Sequence, residues 1–202
     1  MDTGNPLIST KETRNGNSYI LSSPPGGIVF WPKLVESAQW KGQPTGKHEV
    51  DLFYTGGHAK LMAKAYDFLL EEAGKKFPEL SGQFKAPYKD HEEQDGTEGV
   101  LFKFKVNTHL RKKDGSQGRP VRIDLFGPDR QVMDSDRRDE ITMGSKVQII
   151  AFAYMYEVQG KSGITLQPQA IFVEEFGYQE APVAADAKAA GFITPDQMDD
   201  LA

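Results

Sequence analysis

Between Gly99 and Ile123 the chain carries Lys103, Lys105, Arg111, Lys112, Lys113, Arg119 and Arg122 against one acid, Asp114. The run opens as GVLFKFKVNTH, in which Phe102, Phe104 and Val106 alternate with Lys103 and Lys105. Successive side chains of a strand point to opposite faces, so this segment predicts one aromatic face and one cationic face. Capture of a polyanion is the chemistry such a surface offers. Cations track phosphates, and exposed rings supply planes on which unpaired bases stack. The aromatic candidates for stacking are Trp31, Trp40, Tyr54, Phe102, Phe104, Tyr154 and Tyr156. Core packing competes for each of them. It is favoured for Phe104, whereas Phe102, nearest the strand start, is open to either role. Phe152, Tyr154 and Tyr156 share one face of another alternating run, and two phenols make that face the one expected to meet solvent.

Motifs for bond-making chemistry fail on inspection. GQPTGKH, from Gly42, has three residues between its glycines where a phosphate-binding loop needs four, and His48 replaces the magnesium-binding hydroxyl. In DGSQG, Asp114 occupies the first glycine position of a nucleophile elbow. His48, His58, His91 and His109 have neither i, i+4 spacing nor cysteine partners, so no zinc site is expected. DSDRRDE offers Asp134 and Asp136 to a calcium loop, but Arg138 and Asp139 stand where a ligand and a glycine are required. Asp90, Glu92, Glu93, Asp95 and Glu98 crowd one segment, as in carboxylate-cluster nucleases, although a solvated acidic loop explains them equally. No cofactor, metal or catalytic residue is expected.

The net charge of −5 taken alone argues against a polyanionic partner, but the charge is unevenly placed. From Glu174 onward seven acids face one cation, Lys188. A basic segment with an acidic tail implies a binding surface and a separate charged extension. Zero cysteines exclude disulfides and thiolate metal sites. No apolar run approaches the roughly 18 residues that span a bilayer, and no signal peptide or membrane partner is expected.

These residues need elements to position them. Residues 1–17 are polar and aperiodic and read as an N-terminal arm. SYILSS, GGIVFWPKL and KHEVDLFYT read as strands, the last alternating Val50, Leu52 and Tyr54 against Glu49, Asp51 and Phe53. AKLMAKAYDFLLEEAG reads as a helix, with Leu61, Ala65, Phe68 and Leu69 on its apolar face and Gly74 as its stop. PELSGQFKAPYKDHEEQDGTEG reads as a polar loop. RPVRIDLFGPD reads as a strand with Val121, Ile123 and Leu125 on one face, and RQVMDSDRRDEITMGS as a charged connection. KVQIIAFAYMYEV and ITLQPQAIFVEEF form a hairpin across QGKSG. Many short strands with one inserted helix predict a mainly β protein built on an OB-type barrel with flexible termini. The barrel domain spans 18–176, and 177–202 form an acidic, Ala-rich tail.

In order and spacing, IVFWPKLVESAQWKG, KHEVDLFYT, the helix, FKAPYKDHEEQDG, GVLFKFKVNTH and the final hairpin resemble the single-stranded DNA-binding proteins of tailed bacteriophages from about Ile28 to Phe176. The resemblance implies an OB barrel with cationic and aromatic groups in a cleft. It also implies a non-catalytic protein that coats unwound strands in phage DNA replication, recombination and repair, in the cytoplasm of the infected bacterial host. Its DNA-binding residues would be Trp31, Tyr54, Phe102, Lys103, Lys105, Arg111, Lys112, Lys113, Arg119, Arg122, Tyr154 and Tyr156. The family's tail recruits replication partners. Here Phe192, Asp196, Asp199 and Asp200 would contact a replication polymerase or helicase, and a homodimer is a compatible assembly. The tail departs from the pattern by being sparsely acidic and by ending without an aromatic residue. Two other classes stay open: an adaptor whose basic strands dock an acidic protein, and a magnesium-dependent nuclease.

Overall fold

The structure is a computed structural model, and it describes residues 4–13, 16–35, 37–80, 84, 86–112, 114–158 and 161–177. Strands β1 (Ile8–Thr13) and β2 (Gly16–Ser22) pair antiparallel. The polar arm expected over 1–17 is therefore partly sheet. Ile8 lies in the core, and the Thr-rich remainder suits a strand paired on one side only. Next come β3 (Gly27–Lys33), the short pair β4 (Gln39–Trp40) and β5 (Gln43–Pro44), and β6 (Lys47–Tyr54).

Helix α1 (Gly56–Lys76) follows. It buries Met62, Ala65, Tyr66, Leu69 and Ala73, a face rotated from the predicted one, and Leu61 stays exposed. Gly74 does not stop it. One helical glycine costs only about 1 kcal/mol relative to alanine, and buried Ala73 and the core-packed Phe77 hold the last turn in place. The Phe77 amide donates to the Ala73 carbonyl at 2.8 Å, and Pro78 opens a short 3-10 turn (Pro78–Leu80).

The segment expected to be a polar loop contains β7 (Tyr88–Glu92), an edge strand paired with β8 (Glu98–Asn107). Then come β9 (His109–Arg111) and β10 (Gln117–Pro120), which form a separate ribbon, and β11 (Asp124–Phe126) with β12 (Val132–Met133). A 3-10 turn (Ser135–Glu140) occupies the charged connection. The long strands β13 (Lys146–Val158) and β14 (Lys161–Glu175) pair throughout, so the hairpin connection is tighter than QGKSG.

The barrel closes through these two strands. β3 pairs with β6, β6 with β8, β8 with β14, β14 with β13, and β13 returns to β3. This five-stranded ring is the OB-type barrel the strand count predicts. β13 also carries β2 through Ile150–Ala153, where its pairing with β14 shifts register between Ile150 and Ala151. The helix packs against β8 and β14, beyond the Tyr54 end of β6.

Alternation decides what fills the barrel. Val50, Leu52 and Tyr54 of β6 and Phe102, Phe104 and Val106 of β8 all point inward and are buried. Two expected DNA contacts are thereby corrected. Phe102 is 1% exposed and packs on Tyr88 and Tyr54, with ring centroids 5.1 and 6.3 Å away. Tyr54 is 3% exposed, its hydroxyl donates to the Pro24 carbonyl at 2.9 Å, and burial pushes its phenol pKa up. Neither ring can stack on a base without opening the core.

Candidate nucleic-acid interface

The residues between those core positions face outward, and register sets them side by side. Asp51 of β6 lies opposite Lys103 of β8, Glu49 opposite Lys105, and Phe53 opposite Leu101. On the far side of β8, Lys89 of β7 lies opposite Leu101, and His91 opposite Gly99. Directly paired residues of antiparallel strands share a face, so lysines, carboxylates and rings project together from the outside of the barrel.

The floor of this face is a second, smaller apolar cluster. Phe30, Phe53 and Leu101 are buried there, with Ile28 packed against them. Gly99 makes it possible: a Cβ at that position would collide with the Phe53 ring. The His91 ring meets Phe30, Phe53 and Trp31 edge-on, at centroid distances of 5.3, 5.6 and 6.1 Å.

Trp31 stands on this cluster and is 49% exposed. Its φ of 45° is left-handed, a costly conformation for a bulky residue. The pairing of β3 with β6 shifts register between Phe30 and Lys33, so the irregularity turns the indole outward beside Phe30. Lys89 places its ammonium 5.2 Å from the indole centroid, within cation–π reach.

From Lys89 the face continues into a cleft of about 280 Å³, between β7–β8 and the β13–β14 hairpin. Lys89, Lys103, Lys105, Asp51, Leu101 and Tyr156 line it. Burial pushes the Lys105 ammonium pKa down, and the like charges of Lys47 and Lys103 push the same way, against the opposing pull of Glu49. A phosphate beside it would oppose that shift, because it favours the charged lysine. Tyr156 has a nearly parallel neighbour in Tyr154, with centroids 6.5 Å apart and planes 12° apart, and Tyr154 is 56% exposed. The lysines are thus flanked by the Trp31 indole and by a phenol pair.

Replacing Trp31 or Tyr154 by Ala should weaken single-strand binding by about 1–3 kcal/mol, the scale of base stacking. The melting temperature should hardly change, because both rings are about half exposed. Normal binding by both variants, or loss only through unfolding, removes these rings from the interface.

The remaining predicted residues are distributed differently. Lys112 and Arg119 are exposed on the β9–β10 ribbon that continues from β8, and Arg111 belongs to β9. The Arg111 side chain, Lys113, and Phe192, Asp196, Asp199 and Asp200 of the tail lie outside the described residues. Arg122 is not brought to the lysine cleft. It pairs with Asp124 at 2.9 Å and lines a larger cleft of about 900 Å³ with Arg138, Asp134, His48 and His109. Among the described residues that cleft has no Phe, Tyr or Trp in its lining.

Sequence reasoning misses Lys89, His91, Phe30 and Phe53. The available signal is the Asp95–Gly96 dipeptide, a hairpin marker that places Lys89 and His91 on a strand antiparallel to β8. The acidic cluster is this hairpin and its turn. The Asp95 carboxylate accepts the Thr97 amide at 2.9 Å, which holds its pKa below the usual range. Among the described residues no group of three or more His, Cys, Asp or Glu is placed to hold a metal ion. None of the described helices is long and apolar enough to cross a membrane.

No protein-family model matches the sequence, and no curated protein matches it significantly. Solved structures do match. Gp2.5, a single-stranded DNA-binding protein encoded by bacteriophage T7, aligns with a TM-score of 0.58 at 17% identity, over 89% of this chain and 97% of its own. The single-stranded DNA-binding protein of bacteriophage Enc34 aligns at 15% identity with a TM-score of 0.59, over 91% of this chain and 98% of its own. The same Enc34 protein in complex with single-stranded DNA aligns with a TM-score of 0.60, over 87% and 99%. This chain has the barrel fold of these phage single-stranded DNA-binding proteins.

Proposed function

We propose that this protein binds single-stranded DNA without sequence specificity and coats unwound strands during phage DNA replication, recombination and repair. The observation that carries the reading is the row of Lys89, Lys103 and Lys105 flanked by exposed Trp31 and Tyr154 on one outer face of the barrel. Contacts to phosphates and ring planes carry no base information, which makes such a surface tolerant of sequence. The structural neighbours named for single-stranded DNA binding support the same reading. The role is non-catalytic and uses no cofactor. The Arg111, Lys112, Arg119 ribbon extends the phosphate track from β8. The tail, with Phe192, Asp196, Asp199 and Asp200, contacts a replication polymerase or helicase, and the protein acts in the cytoplasm of the infected host, alone or as a homodimer.

A salt titration with a fluorescent oligonucleotide tests the reading. Log affinity should fall against log salt at about −0.7 per neutralised phosphate, so three cleft lysines give a slope of about −2 or steeper. Oligonucleotides of different sequence should give the same slope. A slope near zero overturns the proposal.

A further inference from the structure

Asp51 lines the lysine cleft and Glu49 shares Lys103 with it, where a phosphate-binding surface has no use for acids. Glu49 and Asp51 project from β6 on the same face, and Lys103 Nζ lies 3.3 Å from Glu49 and 3.6 Å from Asp51. Both distances exceed the roughly 2.7–2.9 Å of a strong charge-assisted bond, so Lys103 is shared rather than captured. The Asp51 side chain is 7% exposed and that of Glu49 24%, while Lys103 keeps 45%. Burying a carboxylate this deeply is costly. The apolar floor needs no acid, since Phe30, Phe53 and Leu101 already fill it. Burial accordingly raises the Asp51 pKa, with Lys103 and Lys89 opposing the shift and Glu49 adding to it.

We propose that Glu49 and Asp51 are specificity-determining residues that reject backbone phosphate from the floor of the lysine face and so favour an unpaired strand over duplex. The proposal rests on the single-strand reading above. An unpaired strand can rotate its phosphates outward to Lys89 and Lys105 and present base edges to the floor. Base edges carry no net charge and so meet no like-charge repulsion there, and the acids tolerate that orientation. A duplex has no such freedom. Its pairing edges are occupied, and it carries one negative charge per roughly 1.7 Å of axis, so some phosphate meets the carboxylates in any pose that reaches the lysines. Specificity of this kind comes from a repulsive element placed against the wrong partner.

The test compares the wild-type chain with the Glu49→Gln, Asp51→Asn double variant, which keeps side-chain shape and removes both charges. Dissociation constants are measured for one sequence as a single strand and as a duplex, at one salt concentration. Duplex affinity should rise about tenfold or more and single-strand affinity by clearly less, since the variant removes the like charges that oppose duplex phosphates. The preference for single strands should therefore shrink. If both affinities rise by one factor, or neither rises, the proposal falls while single-strand binding stands. If the wild-type chain binds no single strand, the reading beneath it falls as well. Should the double variant fail to fold by thermal melting, Glu49→Gln alone supplies the same comparison: a smaller shift in the same direction supports the proposal, and an unchanged ratio overturns it.

Discussion

Replacing Phe102 by Ala is expected to destabilise the protein by about 3–5 kcal/mol, the usual cost of emptying a buried phenylalanine site. Phe102 is 1% exposed, and its ring is held between Tyr88 from the edge strand and Tyr54 from β6. Those neighbours belong to paired strands and cannot collapse into the space without breaking the β6–β8 and β7–β8 ladders. Urea unfolding measures the loss as a lower midpoint at unchanged slope. The DNA affinity of the folded fraction should stay close to that of the wild type, because the ring faces away from the lysines. A loss below about 1 kcal/mol would mean that Phe102 is not core.

The second large effect is on binding. Combined replacement of Lys89, Lys103 and Lys105 by Ala should lower single-strand affinity by on the order of a thousandfold. Each contributes roughly 1.5 kcal/mol as a charged hydrogen-bond donor to phosphate. Lys103 contributes further, because its removal leaves Glu49 and Asp51 without the cation they share. The salt slope should become shallower by about 2, since three phosphates are no longer neutralised. Replacement of Arg111, Lys112 and Lys113 should cost less, because the β9–β10 ribbon lies outside the cleft that holds the rings. An unchanged slope in the cleft variant places the phosphate track elsewhere.

Much of this architecture is legible in the sequence because it depends on period-2 alternation. The Phe102–Val106 run sends its aromatic side chains inward and its lysines outward, and the long β13–β14 hairpin follows its apolar pattern. Alternation also places Tyr54 beside Val50 and Leu52 on the inner face. Ring chemistry alone argues for stacking there, and burial wins. The elements that escape sequence reading are edge strands, which need few apolar residues. β7 contributes Tyr88 inward and otherwise shows Lys89, Asp90, His91 and Glu92, so its composition reads as loop. β1 is similar, with Ile8 as its single buried residue among those whose side chains are described. Loss of the strand hides Lys89, and with it the link from the lysine row to Trp31. The clustering of Phe30, Phe53, His91 and Trp31 depends on strand register, on Gly99 and on the irregular backbone at Trp31, none of which periodicity encodes. Arg122 lies apart from the lysines for the opposite reason: sequence proximity to the basic run does not put it in the same cleft.

Single-strand binding stands or falls on equilibrium titration of the full chain with one oligonucleotide sequence, presented as a single strand and as a duplex at matched salt. A surface of lysines between stacking rings needs accessible base faces, which only the unpaired strand offers. The single strand should bind at least tenfold more tightly, a difference of about 1.4 kcal/mol or more. Equal affinity for the two forms would contradict the account, because it would leave a generic polyanion surface in which Trp31, Tyr154 and Tyr156 have no part.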